Sequence, residues 1–98
     1  MMVLIAMRRV KASLRGKLSR WMLEVGTGVF VGSLSARVRD LLWDAVRAGR
    51  GAGECVMVYP ARNEQGFLVR SDGEARYEIV DKDGLQLVRR REKQTDRS

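Results

Sequence analysis

Apolar positions along the chain follow more than one rhythm, and each rhythm predicts an element. Over residues 14–25, Leu14, Leu18, Trp21, Met22 and Val25 fall on one face of a 3.6-residue period, which predicts an amphipathic helix. Val38, Leu41, Leu42, Ala45 and Val46 repeat the pattern in a second helix that opens near Ser35 and closes at Gly49. Between them, glycines flank the β-prone run Val29-Phe30-Val31, which reads as a short buried strand. Met2 to Met7 is apolar at every position. That is the pattern of a central strand covered on both faces, not of one with a wet side.

Ser13 is the expected N-cap of the first helix. Gly16, in its first turn, costs about 1 kcal/mol against Ala. Its uses would be close backbone approach to a phosphate or close helix–strand packing. Cys55 to Tyr59 predicts a strand stopped by Pro60, residues 62–66 a turn, and Gly66 to Arg70 another strand. Residues 76–80 read either as a short strand or as an extended arm. Asp81 to Gly84 forms a turn, and Leu85 to Val88 a last strand. Residues 89–98 contain no apolar side chain and are expected to be disordered. The pattern alone gives a small α+β sandwich, with one folded domain over 1–88 and a basic tail over 89–98.

Charge changes this picture. The net charge is +7, concentrated at the ends: residues 1–20 carry +6 with no acid, and 89–98 carry +3, while 21–88 carry −2. Clustered cations favour polyanions. No long basic amphipathic helix or apolar anchor directs them to a membrane, so nucleic acid is the expected target. Met1 to Met7 is too short to span a bilayer and lacks the order of a signal peptide, so a cytoplasmic protein is expected. The single cysteine, Cys55, and the absence of histidine exclude an intrachain disulfide, a Cys/His zinc site and a histidine-based triad. Cys55 reads as a small buried hydrophobe.

Several motifs stand in a telling order: Leu14-Arg15-Gly16, then Trp21-Met22-Leu23-Glu24-Val25, then Gly28-Val29-Phe30-Val31-Gly32, then Ser35-Ala36-Arg37-Val38-Arg39 leading to Trp43. Glu64-Gln65-Gly66-Phe67 and Asp81-Lys82-Asp83-Gly84-Leu85 follow. From about Met2 to Val88 the chain resembles the small, non-catalytic subunit of the CRISPR spacer-acquisition integrase in its type I-E form.

The resemblance implies a ferredoxin-like β-α-β-β-α-β sandwich: an antiparallel sheet with two helices on one face, plus a C-terminal strand. It implies a homodimer that bridges dimers of the catalytic subunit and holds a double-stranded prespacer. It places Arg15, Arg37 and Arg76 along the duplex. Where the family has further basic residues this chain has Ser13 and Tyr77, and Lys11 and Lys17 are read as compensating. Arg39 completes the basic set beside Arg37. Phosphate contacts of this kind position a duplex without reading bases. The C-terminal strands contact the catalytic subunit in the family, so Leu85, Leu87 and Val88 are the expected partner-binding residues, acting by strand addition.

Family members with magnesium-dependent nuclease activity carry an acidic residue at or just after the end of the first strand. Here that position is Arg8, and no Asp or Glu precedes Glu24. A guanidinium repels a metal, so no catalytic residue, metal ligand or cofactor is expected, magnesium belonging to the partner subunit. A magnesium-dependent endonuclease acting on RNA or DNA is the alternative, and a toxin- or antitoxin-like DNA-binding module a third reading. The latter needs a base-reading element, and none is evident. Asp40 and Asp44 read as a solvated helix face, with Asp44 in reach of Arg47. Trp21 is expected in the core, and Trp43 at the stripe's edge, available to a partner.

Overall fold

The computed structural model describes residues 1–49, 53–73, 77–82 and 85–90. In chain order the elements are β1 (Met2–Met7), α1 (Ala12–Ser19), β2 (Leu23–Gly26), β3 (Val29–Ser33), α2 (Ala36–Gly49), β4 (Cys55–Pro60), β5 (Phe67–Asp72), β6 (Tyr77–Lys82) and β7 (Leu85–Arg90). The first five strands form one antiparallel sheet in the order β2-β3-β1-β4-β5. The fold is the ferredoxin-like βαββαβ arrangement, with β5 added beyond β4. β6 and β7 pair with each other as a separate antiparallel hairpin.

β1 lies at the centre, and its residues alternate in burial. Val3, Ile5 and Met7 point into the core with Phe30 of β3 and Cys55, Met57 and Tyr59 of β4. Leu14 and Leu18 of α1 and Leu42, Trp43 and Val46 of α2 close over them. Leu4 and Ala6 point the other way, beside Val31, Val29, Val58 and Val56. No helix among the described residues lies on that side. A strand whose sequence suits cover on both faces is therefore covered by helices on one.

The first helix is shorter than its apolar stripe. Leu14, Leu18 and Met22 are buried as the stripe requires, but α1 stops at Ser19. Main-chain bonds from Arg20, Trp21 and Met22 back to Lys17 and Leu18 close the last turn. The chain then pairs Leu23 with Val31 and Glu24 with Phe30. The strand that the expected fold lacked thus comes from the end of the expected helix. Lys11, not Ser13, is the N-cap of α1, and no side chain caps it.

The tight turn between β2 and β3 rests on Gly28. Its φ is +75°, and a Cβ there would run into the carbonyl of Met7. The close approach lets the Met7 N–H bond the Gly28 carbonyl at 2.8 Å. Gly16 is the opposite case: apart from its neighbours and the main chain of its own helix, no described atom lies within 4 Å of where its Cβ would be. Helix–strand packing therefore does not explain it.

The tryptophans exchange their expected places. Trp43 is 5% exposed and Trp21 53%. Trp21 lies in the turn after α1, where the helical stripe no longer applies. α2 is rolled toward the β4–β5 half of the sheet, which buries Trp43 and leaves Leu41 60% exposed. Two ion pairs of opposite polarity fix this roll: Asp40 to Arg70 at 3.5 Å and Arg47 to Asp72 at 3.4 Å.

Candidate nucleic-acid interface

The basic residues fall into those that the fold engages and those that it leaves in solvent. Arg15 is engaged. Its Nε and Nη2 donate to the two carboxylate oxygens of Glu24 at 2.9 and 3.2 Å. Glu24 also accepts from the Gly28 N–H at 3.0 Å. That main-chain bond, then the Arg15 guanidinium, hold the Glu24 carboxyl below its ordinary value of 4.5. Arg15 thus sits on the helix layer with a fixed orientation and a neutralising partner.

Arg39 is engaged more deeply, with its side chain 13% exposed. Its Nε donates to Asp40 Oδ1 at 3.0 Å, and its guanidinium lies 4.2 Å from the centre of the Tyr59 ring. Arg70 approaches the same ring at 5.1 Å. The hydrogen bond from Arg39 is the main cause of a lowered Asp40 carboxyl, with the charges of Arg39 and Arg70 adding to it against a desolvation cost. This cluster joins α2 to β4 and β5.

Lys11, Lys17 and Arg37 are exposed and make no ion pair with another described residue. Lys11 stands at the opening of α1, Lys17 in its last turn, and Arg37 in the first turn of α2. Because α1 follows β1 and α2 follows the antiparallel β3, the two helices open at opposite ends of the sheet. A six-residue strand separates those ends by about 20 Å. Arg76 lies outside the described residues. Leu85, Leu87 and Val88, the expected partner-binding positions, lie in β7, whose main chain pairs them with Lys82, Val80 and Ile79 of β6.

At the end of β1, Arg8 lies 3.9 Å from Glu54 and its N–H bonds the Glu54 carbonyl at 3.1 Å. Among the described residues no three acidic, cysteine or histidine side chains gather as a metal site would require. No described helix is long and apolar enough to cross a membrane. Sequence reasoning missed Glu24 as the partner of Arg15, because within a helix it would not face that residue. Alternation along a strand, with Leu23 and Val25 outward and Glu24 inward, is the signal that would have found it.

Fold and charge together define a small basic α+β protein built on a ferredoxin-like sheet, with solvent-facing cations spread along its helix layer. The family described as CRISPR-associated protein (Cas_Cas2CT1978) matches residues 1–87, and the chain belongs to that family.

Proposed function

We propose that this chain is the non-catalytic, dimeric scaffold subunit of a CRISPR adaptation complex. It bridges dimers of the catalytic integrase subunit and binds a prespacer duplex through its phosphate backbone. The observation that carries the reading is the bare face of the sheet. β1 has a sequence suited to cover on both sides, yet Met2, Leu23 and Phe67 are 67%, 70% and 41% exposed. Together with Leu4, Val31 and Val58 they make an apolar surface with an open depression lined by Met2, Leu4, Val31, Val58, Pro60 and Phe67. Contiguous apolar surface of this kind is ordinarily covered by a partner. A second copy of the same flat face provides the missing layer.

Lys11, Lys17 and Arg37 supply the duplex contact on the opposite side. Phosphates of one strand repeat every ~3.4 Å, so the ~20 Å between the helix openings spans about six of them. Arg15 has Nε and Nη2 bonded to Glu24, and Nη1 is the donor it can offer a phosphate near the opening of α1. The reading assigns no chemistry to the chain: Arg8 stands where a metal-dependent nuclease needs a carboxylate.

The test is binding of two unrelated duplexes of equal length over a salt series. Lys11→Ala, Lys17→Ala and Arg37→Ala should each weaken both duplexes alike. Each should also lower the salt slope by roughly one phosphate contact. Strong preference for one duplex, abolished by one substitution, would contradict backbone binding.

A further inference from the structure

β5 ends the sheet, and its outer edge is the place where unsatisfied main-chain groups would be expected. At the Phe67 carbonyl and at both main-chain groups of Val69, side-chain amides occupy that edge. Asn63 Nδ2 and Gln65 Nε2 both donate to the Phe67 carbonyl, at 3.0 and 2.7 Å. Two residues on, the amide of Gln86 from β7 meets Val69: the Val69 N–H donates to Gln86 Oε1 at 2.9 Å, and Gln86 Nε2 donates to the Val69 carbonyl at 3.5 Å. A primary amide presents one donor and one acceptor side by side, as a peptide group does. Gln86 therefore makes the pair of bonds that an added strand would make at that position. Its own N–H donates to Gln65 Oε1 at 2.6 Å, so one residue is held at both main chain and side chain.

We infer that Gln86, seated on Gln65, is a fastener that plugs the edge of β5 and fixes where the β6–β7 hairpin sits on the domain. Among the described residues the hairpin forms no ladder with the five-stranded sheet, and this amide clasp joins it to the edge strand. If the hairpin is the partner-binding element that the family resemblance implies, on which this role rests, Gln65 and Gln86 are positioning residues for assembly. They set the place and angle of a strand without themselves forming its contact surface.

Hydrogen exchange on the full chain tests the fastener without any partner. In Gln86→Ala the Val69 amide should exchange about tenfold faster, as loss of one hydrogen bond implies. The amides of β6 and β7 should follow, and those of β1 and β3 should not change. Gln65→Ala should speed exchange at the Gln86 amide. Gln86→Leu fills similar space without an amide and should behave as Gln86→Ala does. Unchanged exchange at Val69 in Gln86→Ala, or protection regained in Gln86→Leu, would overturn the inference. Capture of the catalytic subunit, measured on the same proteins, addresses the separate reading. Faster exchange with undiminished capture would leave the fastener standing and remove the hairpin from the partner contact.

Discussion

Gly28 and Glu24 show how few atoms decide the local geometry of the basic surface. Gly28 places the β2–β3 turn against Met7, and its N–H then reaches the carboxylate that holds Arg15. Gly28→Ala meets both a positive φ and a carbonyl, and should cost about 2–3 kcal/mol in denaturant unfolding. Gly16→Ala meets neither and should raise stability by about 0.5–1 kcal/mol. Weakened duplex binding in that stabilised variant would show that Gly16 serves a phosphate. Glu24 and Asp40 both have carboxyls held below their ordinary values. Their contribution is present above the unfolded values of 4.5 and 3.8 and is lost as pH falls through the lower folded ones. Melting temperature should therefore fall on acidification from about pH 5 to pH 3, and less so in Glu24→Gln. An acid limb unchanged in that variant would show that the Arg15–Glu24 pair adds nothing.

At the scale of elements, the two helices and their apolar residues were legible, and their ends and rotation were not. Leu14, Leu18 and Met22 of the expected stripe are buried, the last carried inward by a turn, whereas Trp21 and Val25 beyond the end of α1 are exposed. β2 was hidden inside this stripe. Local periodicity cannot register that Leu23 and Glu24 gain more from pairing with Val31 and Phe30 across a tight glycine turn than from another helical turn. The rotation of α2 depends on β5, a strand beyond β4 in the chain, whose Arg70 and Asp72 pair with Asp40 and Arg47. Nothing within α2 shows this. The tryptophans check the result. Trp43→Ala should cost about 3–5 kcal/mol, whereas Trp21→Ala should stay within about 0.5 kcal/mol. Acrylamide should quench the fluorescence of Trp21 and spare that of Trp43. Equal costs would mean that α2 sits differently. Among the candidate site residues, Lys11, Lys17 and Arg37 were readable as solvent cations. The engagement of Arg39 was not, since Tyr59 and Arg70 reach it only through the sheet.

For the whole molecule, the division of labour between the two sheet faces is what connects fold to function. One face carries the helices and, over them, cations spread along their length. The other carries apolar side chains and, among the described residues, no helix. The central claim is that the bare face is closed by a second copy and that the resulting pair joins catalytic dimers. A charge placed in its middle, Leu4→Lys or Val31→Glu, should leave the monomer folded and abolish association. The most direct measurement is gel filtration with light scattering on the chain alone and mixed with the catalytic subunit from the same locus. The account predicts a mass of twice 11.1 kDa for the chain alone, and a single co-eluting species of one such pair between two catalytic dimers in the mixture. A monomer that remains a monomer, or two proteins that elute separately, would contradict it.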